Sequence, residues 1–220
     1  MIKTEYSQAL KPSGVPWVGD IPEHWEVLKL KNLAELYTGN SISDGEKKNY
    51  SNSINAIPYV STKDIDVETK SLNCDNGMFI PLENTSFKVA PTNSTLLCIE
   101  GGSAGKKITF TNQDVCFVNK LCCFKCNNHY HPKLLYYYCQ CDAFLTDFYL
   151  SLNGLIGGVT VSKIKQILIL VPPLPEQEAI ARYLDDKCAL VDATVEKEKL
   201  AIAKLKEYKQ AIITEAVTKG

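Results

Sequence analysis

The sequence predicts an α/β (α+β) globular domain followed by one long, coiled-coil-forming α-helix. Three observations carry this reading. Short apolar runs of strand type, separated by Gly, Pro, Asn and Ser clusters, recur from Trp25 to Val171. After Pro175 no proline occurs, and no glycine until Gly220. Within that last stretch apolar residues recur in alternating four- and three-residue steps, the period of a coiled-coil seam. The expected division is 1–174 for the domain and 175–220 for the helix.

Taken in order, residues 1–24 are polar and rich in Pro and Gly, which excludes a long helix or a central strand. Trp17 and Ile21 are expected to anchor this segment on the domain surface. Residues 25–30 alternate like a strand and lead into a short helix over 31–36. Residues 39–56 carry turn formers (Gly39, Asn40, Gly45, Ser51 to Ser53) and read as a mobile loop. Residues 57–60 form a short buried strand, and the polar Ser61 to Ile65 after it can face a ligand. Further strands are expected over 87–89, 95–99, 115–118, 121–125 and 167–171. One helix is expected over 133–150, ending near Asn153 and Gly154, with a turn at 157–160. No internal repeat is present, so each part occurs once.

The helix opens at Pro172-Pro173-Leu174-Pro175-Glu176-Gln177-Glu178. Proline suits a first turn, where its missing N–H has no helical partner to lose. Glu176 and Glu178 complement the positive end of the helix dipole there. Lys219 and Gly220 form the stop. Roughly 42 residues at 1.5 Å each give a rod of about 60 Å. Its stripe is Leu184, Cys188, Val191, Val195, Ile202, Leu205, Ile212 and Ala216, with Glu198 and Lys209 in the two remaining seam positions. Lys197, Lys199, Lys204, Lys206 and Glu207 lie opposite and suit water. A lone helix cannot bury its own stripe, and no second helix of this kind exists in the chain. The stripe either folds back on the domain or meets another chain; the second reading is favoured.

Composition bounds the function. The formal net charge of −1 provides no global basic field, so any nucleic-acid binding rests on a local patch. The 45% apolar fraction supports a packed core. No apolar run reaches about 18 residues, and Met1 to Glu5 lack the apolar centre of a signal peptide, so a cytoplasmic chain is expected. Nine cysteines without a secretory signal argue against a disulfide framework. Cys123, Cys126, Cys139 and Cys141, with His129 and His131 between them, have the close spacing of zinc ligands. They also lie in apolar, aromatic-rich runs where free cysteine packs as a small hydrophobe, which is the favoured reading.

Four stretches together resemble the specificity (S) subunit of type I restriction-modification systems. They are Ile21-Pro22-Glu23-His24-Trp25-Glu26-Val27; Ile57-Pro58-Tyr59-Val60 with Lys63-Asp64-Ile65; Gly101-Gly102-Ser103-Ala104-Gly105-Lys106 with Asn119 downstream; and Pro172 to Ala181 with the heptad helix. The first and last are the most specific. The resemblance implies a target recognition domain that reads a half-site in double-stranded DNA. It implies a spacer helix that pairs antiparallel with another and separates two such domains. Methyltransferase (M) subunits would dock on this frame and bring S-adenosylmethionine. A restriction/translocase (R) subunit, where present, would cleave unmodified DNA. The specificity chain itself does no chemistry and takes no cofactor. A full subunit of the family carries two recognition domains and two helices, whereas this chain has one of each. A homodimer, or a pairing with another half subunit, would complete the frame.

For DNA contact the chemistry wants cations, hydroxyls and amides. The candidates are Asn40, Lys47, Lys48, Ser61, Thr62, Lys63, Lys106 and Lys107. Lys106 and Lys107 read equally as a solvated hairpin end, and Gly101, Gly102 and Gly105 as turn geometry. Asn119 reads as structural. Other classes fare worse. The Pro172-Pro173 pair lacks the flanking polar and aromatic residues of a methyltransferase motif. Residues 101–107 have the wrong spacing for a phosphate loop. Asp64 with Glu68 and Lys70 is a common surface pattern as well as a metal-dependent nuclease triplet. A dimeric scaffold that reads no DNA is the other alternative.

Overall fold

Alternation along one strand sets the layering of this protein. The computed structural model describes residues 9–152 and 157–220. The expected helix end near Asn153 and Gly154, and Met1 to Glu5, lie outside them. In strand β11 (Leu121–Cys126) Cys122 and Phe124 face one hydrophobic core, while Leu121 and Cys123 face another. Successive side chains of a strand point to opposite faces, so one six-residue run serves two cores.

Strands β4 (Ala34–Thr38), β8 (Thr95–Cys98) and β9 (Ile108–Phe110) join β11 in an antiparallel sheet of order β4-β11-β8-β9. A second sheet has the order β6-β5-β10-β7, from β5 (Ala56–Val60), β6 (Phe79–Pro81), β7 (Val89–Ala90) and β10 (Val115–Phe117). Its central pair, β5 and β10, is parallel. Val60, Val115 and Phe117 of this sheet share a core with Leu96, Cys98, Leu121 and Cys123 of the first. The outer face of the second sheet is covered by Ile42 and Tyr50 from the 39–56 segment, packed on Tyr59, Ile80 and Cys116.

The other face of the first sheet carries α1 (Pro132–Tyr138), α2 (Asp142–Leu150) and α3 (Val161–Ile164). Leu135, Cys139, Phe144 and Phe148 are buried there with Leu36, Leu97, Cys122 and Phe124. The single helix expected over 133–150 is therefore two. Cys139, Gln140 and Cys141 close α1 with tight-turn bonds to Leu135, Tyr137 and Tyr138, and extended Cys141 then starts α2. The break lets both apolar faces reach one sheet. The helix expected over 31–36 is also corrected. Only Leu30–Asn32 form a turn of 3-10 helix, and Ala34 to Leu36 belong to β4, paired with Cys126 to Phe124. The strand expected over 87–89 shrinks to Val89–Ala90, and the one over 167–171 begins at Leu168.

The N-terminal region forms a small hairpin of β1 (Leu10–Pro12) and β2 (Asp20–Pro22). Trp17 is half exposed and donates its Nε1–H to Asp147 of α2 at 2.9 Å, whereas Ile21 is buried rather than a surface anchor. Strand β3 (Glu26–Lys29) pairs antiparallel with β12 (Leu168–Val171), bringing the two ends of the domain together. The chain then enters α4 (Leu174–Lys219). It divides into two compact units, Met1–Ala181 and Arg182–Gly220.

The first turns of α4 explain its opening motif. Gln177 is buried, accepts the His131 N–H at 2.7 Å and donates to the carbonyls of Pro172 and His129 at 2.7 and 3.2 Å. Glu176 accepts the Trp25 indole N–H at 2.9 Å and pairs with His24 at 2.7 Å. Thus Glu176 does more than complement the helix dipole: it ties the helix start to the chain segment before β3.

Candidate nucleic-acid interface

The parallel pairing of β5 with β10 brings three separate loops to one edge. Val60 lies beside Phe117, and Val118 N–H bonds to the Val60 carbonyl at 3.0 Å. The loops that leave both strands therefore emerge side by side. The end of β4 reaches the same place, because Asn40 N–H bonds to the Phe117 carbonyl at 2.9 Å. Gly39 permits this approach: a Cβ there would sit 1.8 Å from the Phe117 carbonyl oxygen.

Between these loops lies a cleft of about 280 Å³. Ser41, Ile42 and Lys47 line one side, Ser61, Lys63 and Asp64 a second, and Val118, Asn119 and Lys120 a third. Tyr59 and Met78 complete the lining. Tyr59 is almost fully buried and donates its hydroxyl to the Asn40 carbonyl at 2.8 Å. Burial, helped by Cys116 and Asp64, pushes its phenol up to about 12, so it remains a neutral donor. The Ser61 turn is locked by one carboxylate oxygen. Asp64 Oδ2 accepts both the Ser61 N–H and the Ser61 hydroxyl at 2.8 Å, a reciprocal capping arrangement. This fixed turn holds Lys63 at the rim.

The structure brings Lys47, Ser61 and Lys63 together in this cleft and adds Lys120, which sequence reasoning missed. The available signal was a lysine in the short turn between the runs 115–118 and 121–125. Its neighbours become visible only once β5 and β10 are paired. Lys47 bonds to Asp44 at the cleft's outer side. Lys48 is exposed on the adjoining 3-10 turn, Lys47–Tyr50. Thr62 and Lys107 meet each other instead, with Lys107 Nζ donating to the Thr62 carbonyl at 2.6 Å. Lys63 and Lys107 line a neighbouring concavity with Asp66 and Glu68. The Lys106 carbonyl accepts from Lys70 Nζ at 3.3 Å. Asn40 uses both ends of its amide inside the chain, accepting the Lys88 N–H at 2.8 Å and donating to the Ser86 carbonyl at 3.4 Å. Of the Asp64, Glu68 and Lys70 triplet, Asp64 holds Ser61 and Lys70 binds the Val67 and Lys106 carbonyls.

The candidate zinc cysteines are split between two cores. Cys123 faces the core between the sheets, whereas Cys126, Cys139 and Cys141 pack with the helices. Among the described residues no group of three or more His, Cys, Asp or Glu is placed to hold a metal ion. Burial pushes the thiols of Cys116 and Cys123 up to about 11 and that of Cys126 to about 12. Along α4 the predicted seam is on the surface of the isolated chain, with Val195 45%, Ile202 51% and Leu205 66% exposed. No helix among the described residues is long and apolar enough to cross a membrane.

Comparison with known proteins agrees with this architecture. The family described as type I restriction modification DNA specificity domain matches residues 22–207. A chain from a structure on complex assembly and conformational transition of the type I R-M system superposes with a TM-score of 0.74 at 22% identity. That match covers 91% of this chain and 47% of the other. The HsdS subunit from Thermoanaerobacter tengcongensis gives a TM-score of 0.63 at 20% identity, covering 90% and 46%. The type I restriction-modification system S subunit from M. genitalium gives 0.52 at 17%, covering 74% and 38%. At these identities the likeness is one of fold, and the chain spans less than half of each matched chain.

Proposed function

Because this chain belongs to the family of type I restriction modification DNA specificity domains, we propose that it is the DNA-reading subunit of a type I restriction-modification complex. The observation that carries the proposal is the family match over residues 22–207, which takes in both the domain and most of the helix. The subunit reads a half-site, performs no catalysis and needs no cofactor of its own. S-adenosylmethionine belongs to the methyltransferase subunits that dock on it, and a restriction/translocase subunit is a further partner. The complex works in the cytoplasm. The domain, 1–174, lies against the duplex through the cleft edge, where Lys47, Lys63 and Lys120 suit phosphates and Ser61 and Asn119 supply hydrogen-bonding groups. Lys48, Thr62, Lys106 and Lys107 extend that surface.

The helix, 175–220, joins two copies in an antiparallel pair. Such a pair is isologous, so two identical readers face two inverted half-sites across an unread spacer. The exposed seam supports this reading.

Methylome sequencing of a host carrying this chain and its neighbouring methyltransferase tests the proposal. The expected result is a new inverted-repeat motif with an unread spacer, absent without the chain. An asymmetric bipartite motif would replace the homodimer with a pairing of two different half subunits. No new methylation would overturn DNA reading and leave a dimeric scaffold.

A further inference from the structure

From Val191 to Ala216 the seam of α4 reads the same in both directions. About a point between Ala203 and Lys204, Ile202 is balanced by Leu205, Glu198 by Lys209, Val195 by Ile212 and Val191 by Ala216. The four- and three-residue steps between these positions are palindromic as well. When a second copy is laid antiparallel about that point, each seam residue from Val191 to Ala216 meets another of them, and Cys188 comes opposite Lys219. Within the span 191–216 apolar faces apolar in all layers but two, and in those two Glu198 faces Lys209. All the seam residues of that span are exposed in the single chain, so the face is open to a second copy.

We propose that α4 forms, over residues 191–216, a two-fold antiparallel coiled coil in this one register, set by reciprocal Glu198–Lys209 pairs between two copies. The inference rests on the homodimer reading above and deepens it. Charge complementarity selects both the orientation and the register. A parallel pair in register would set Glu198 against Glu198 and Lys209 against Lys209, like charges at the seam. Sliding the antiparallel pair by one heptad sets Glu198 against Ile202 or Ala216 of the second copy, and Lys209 against Val191 or Leu205. Each arrangement buries a charge without a partner, which is far worse than burying it paired. Polar seam residues fix register and orientation in this way at some cost in stability.

The flanking positions fit the same register. Tyr208 comes beside the small Ala201 of the second copy. Lys199 comes toward Lys206, but both lie outside the seam and Lys199 already pairs with Glu196 of its own chain at 3.0 Å. Exposed charges of this kind contribute little.

A charge swap in the full chain tests the register. Sedimentation of Glu198→Lys and of Lys209→Glu, each alone, should show dimers at least about tenfold weaker than the parent, because each dimer then holds two like-charged layers. Mixing the two variants, one carrying an affinity tag, should restore a one-to-one heterodimer, since every lysine layer then meets a glutamate. The double variant Glu198→Lys/Lys209→Glu should dimerise like the parent. If the parent dimerises but the single variants do so equally well, or the mixture forms no heterodimer, the register is wrong while the homodimer stands. A monomeric parent would remove the homodimer reading itself.

Discussion

Gln177 shows how one side chain can hold a junction. Its buried amide serves the His131 N–H and the carbonyls of Pro172 and His129. Replacement by Ala leaves those groups unpaired away from water and should cost about 2–4 kcal/mol. Thermal unfolding should then fall by roughly 5–10 °C, with the overall secondary structure unchanged. The sequence marked this residue only as part of a motif. Its partners come from 40 or more positions earlier and from a carbonyl five residues back, which no local pattern reveals. Lys63 makes the opposite case. Its charge and its place after a short strand were legible, and the Asp64-locked turn explains why it is presented at a rim. If Lys63 contacts one phosphate, Lys63→Ala should weaken DNA binding across sequences and lower the slope of log K against log salt by about 0.9. Titration of the complex at several salt concentrations reads both, while the dimer mass should stay the same.

At the scale of elements, the close passage of β4 over the end of β10 joins the two sheets and shapes the cleft. Gly39→Ala would drive a methyl group into the Phe117 carbonyl, a 1.8 Å approach that only a backbone shift can relieve. The substitution should cost about 3 kcal/mol and displace the Asn40 backbone bond beside the cleft. A lower denaturant midpoint with an unchanged slope is the expected reading. Elsewhere the sequence misjudged elements where two periodicities overlap. Leu30, Leu33 and Ala34 share a helix-like spacing, yet pairing with β11 alternates Ala34 and Leu36 inward with Glu35 outward. From Pro132 to Leu150 the propensities suit one helix, but the tight turn at Cys139 to Cys141 lets Leu135 and Phe144 reach a common sheet. Strands as short as Phe79–Pro81 exist through their neighbours and leave little pattern of their own.

At the scale of the whole molecule, the apolar stripe of α4 lies exposed in the single chain. Leu205 sits at the centre of the seam and is 66% exposed. Leu205→Glu should shift the full chain from dimer to monomer in sedimentation without altering the globular unit, and specific DNA binding should be lost with the second reader. A dimer that persists would show that the association lies elsewhere. The sequence by itself determined the class of the fold, the long helix, its 3.5-residue stripe and the family, because these rest on periodicity and on contiguous motifs. Only the tertiary structure decided which residues form the cleft. Lys63 and Lys120 converge because β5 and β10 run parallel and release their loops at one edge, and Lys47 joins them from the segment after β4, whose Asn40 is bonded to Phe117. It also sent Cys122 and Cys123 to different cores by strand parity and assigned Glu176 and Gln177 their partners. Periodicity is a local property that each segment carries with it, whereas a site is made by non-local pairing, whose register no single segment contains.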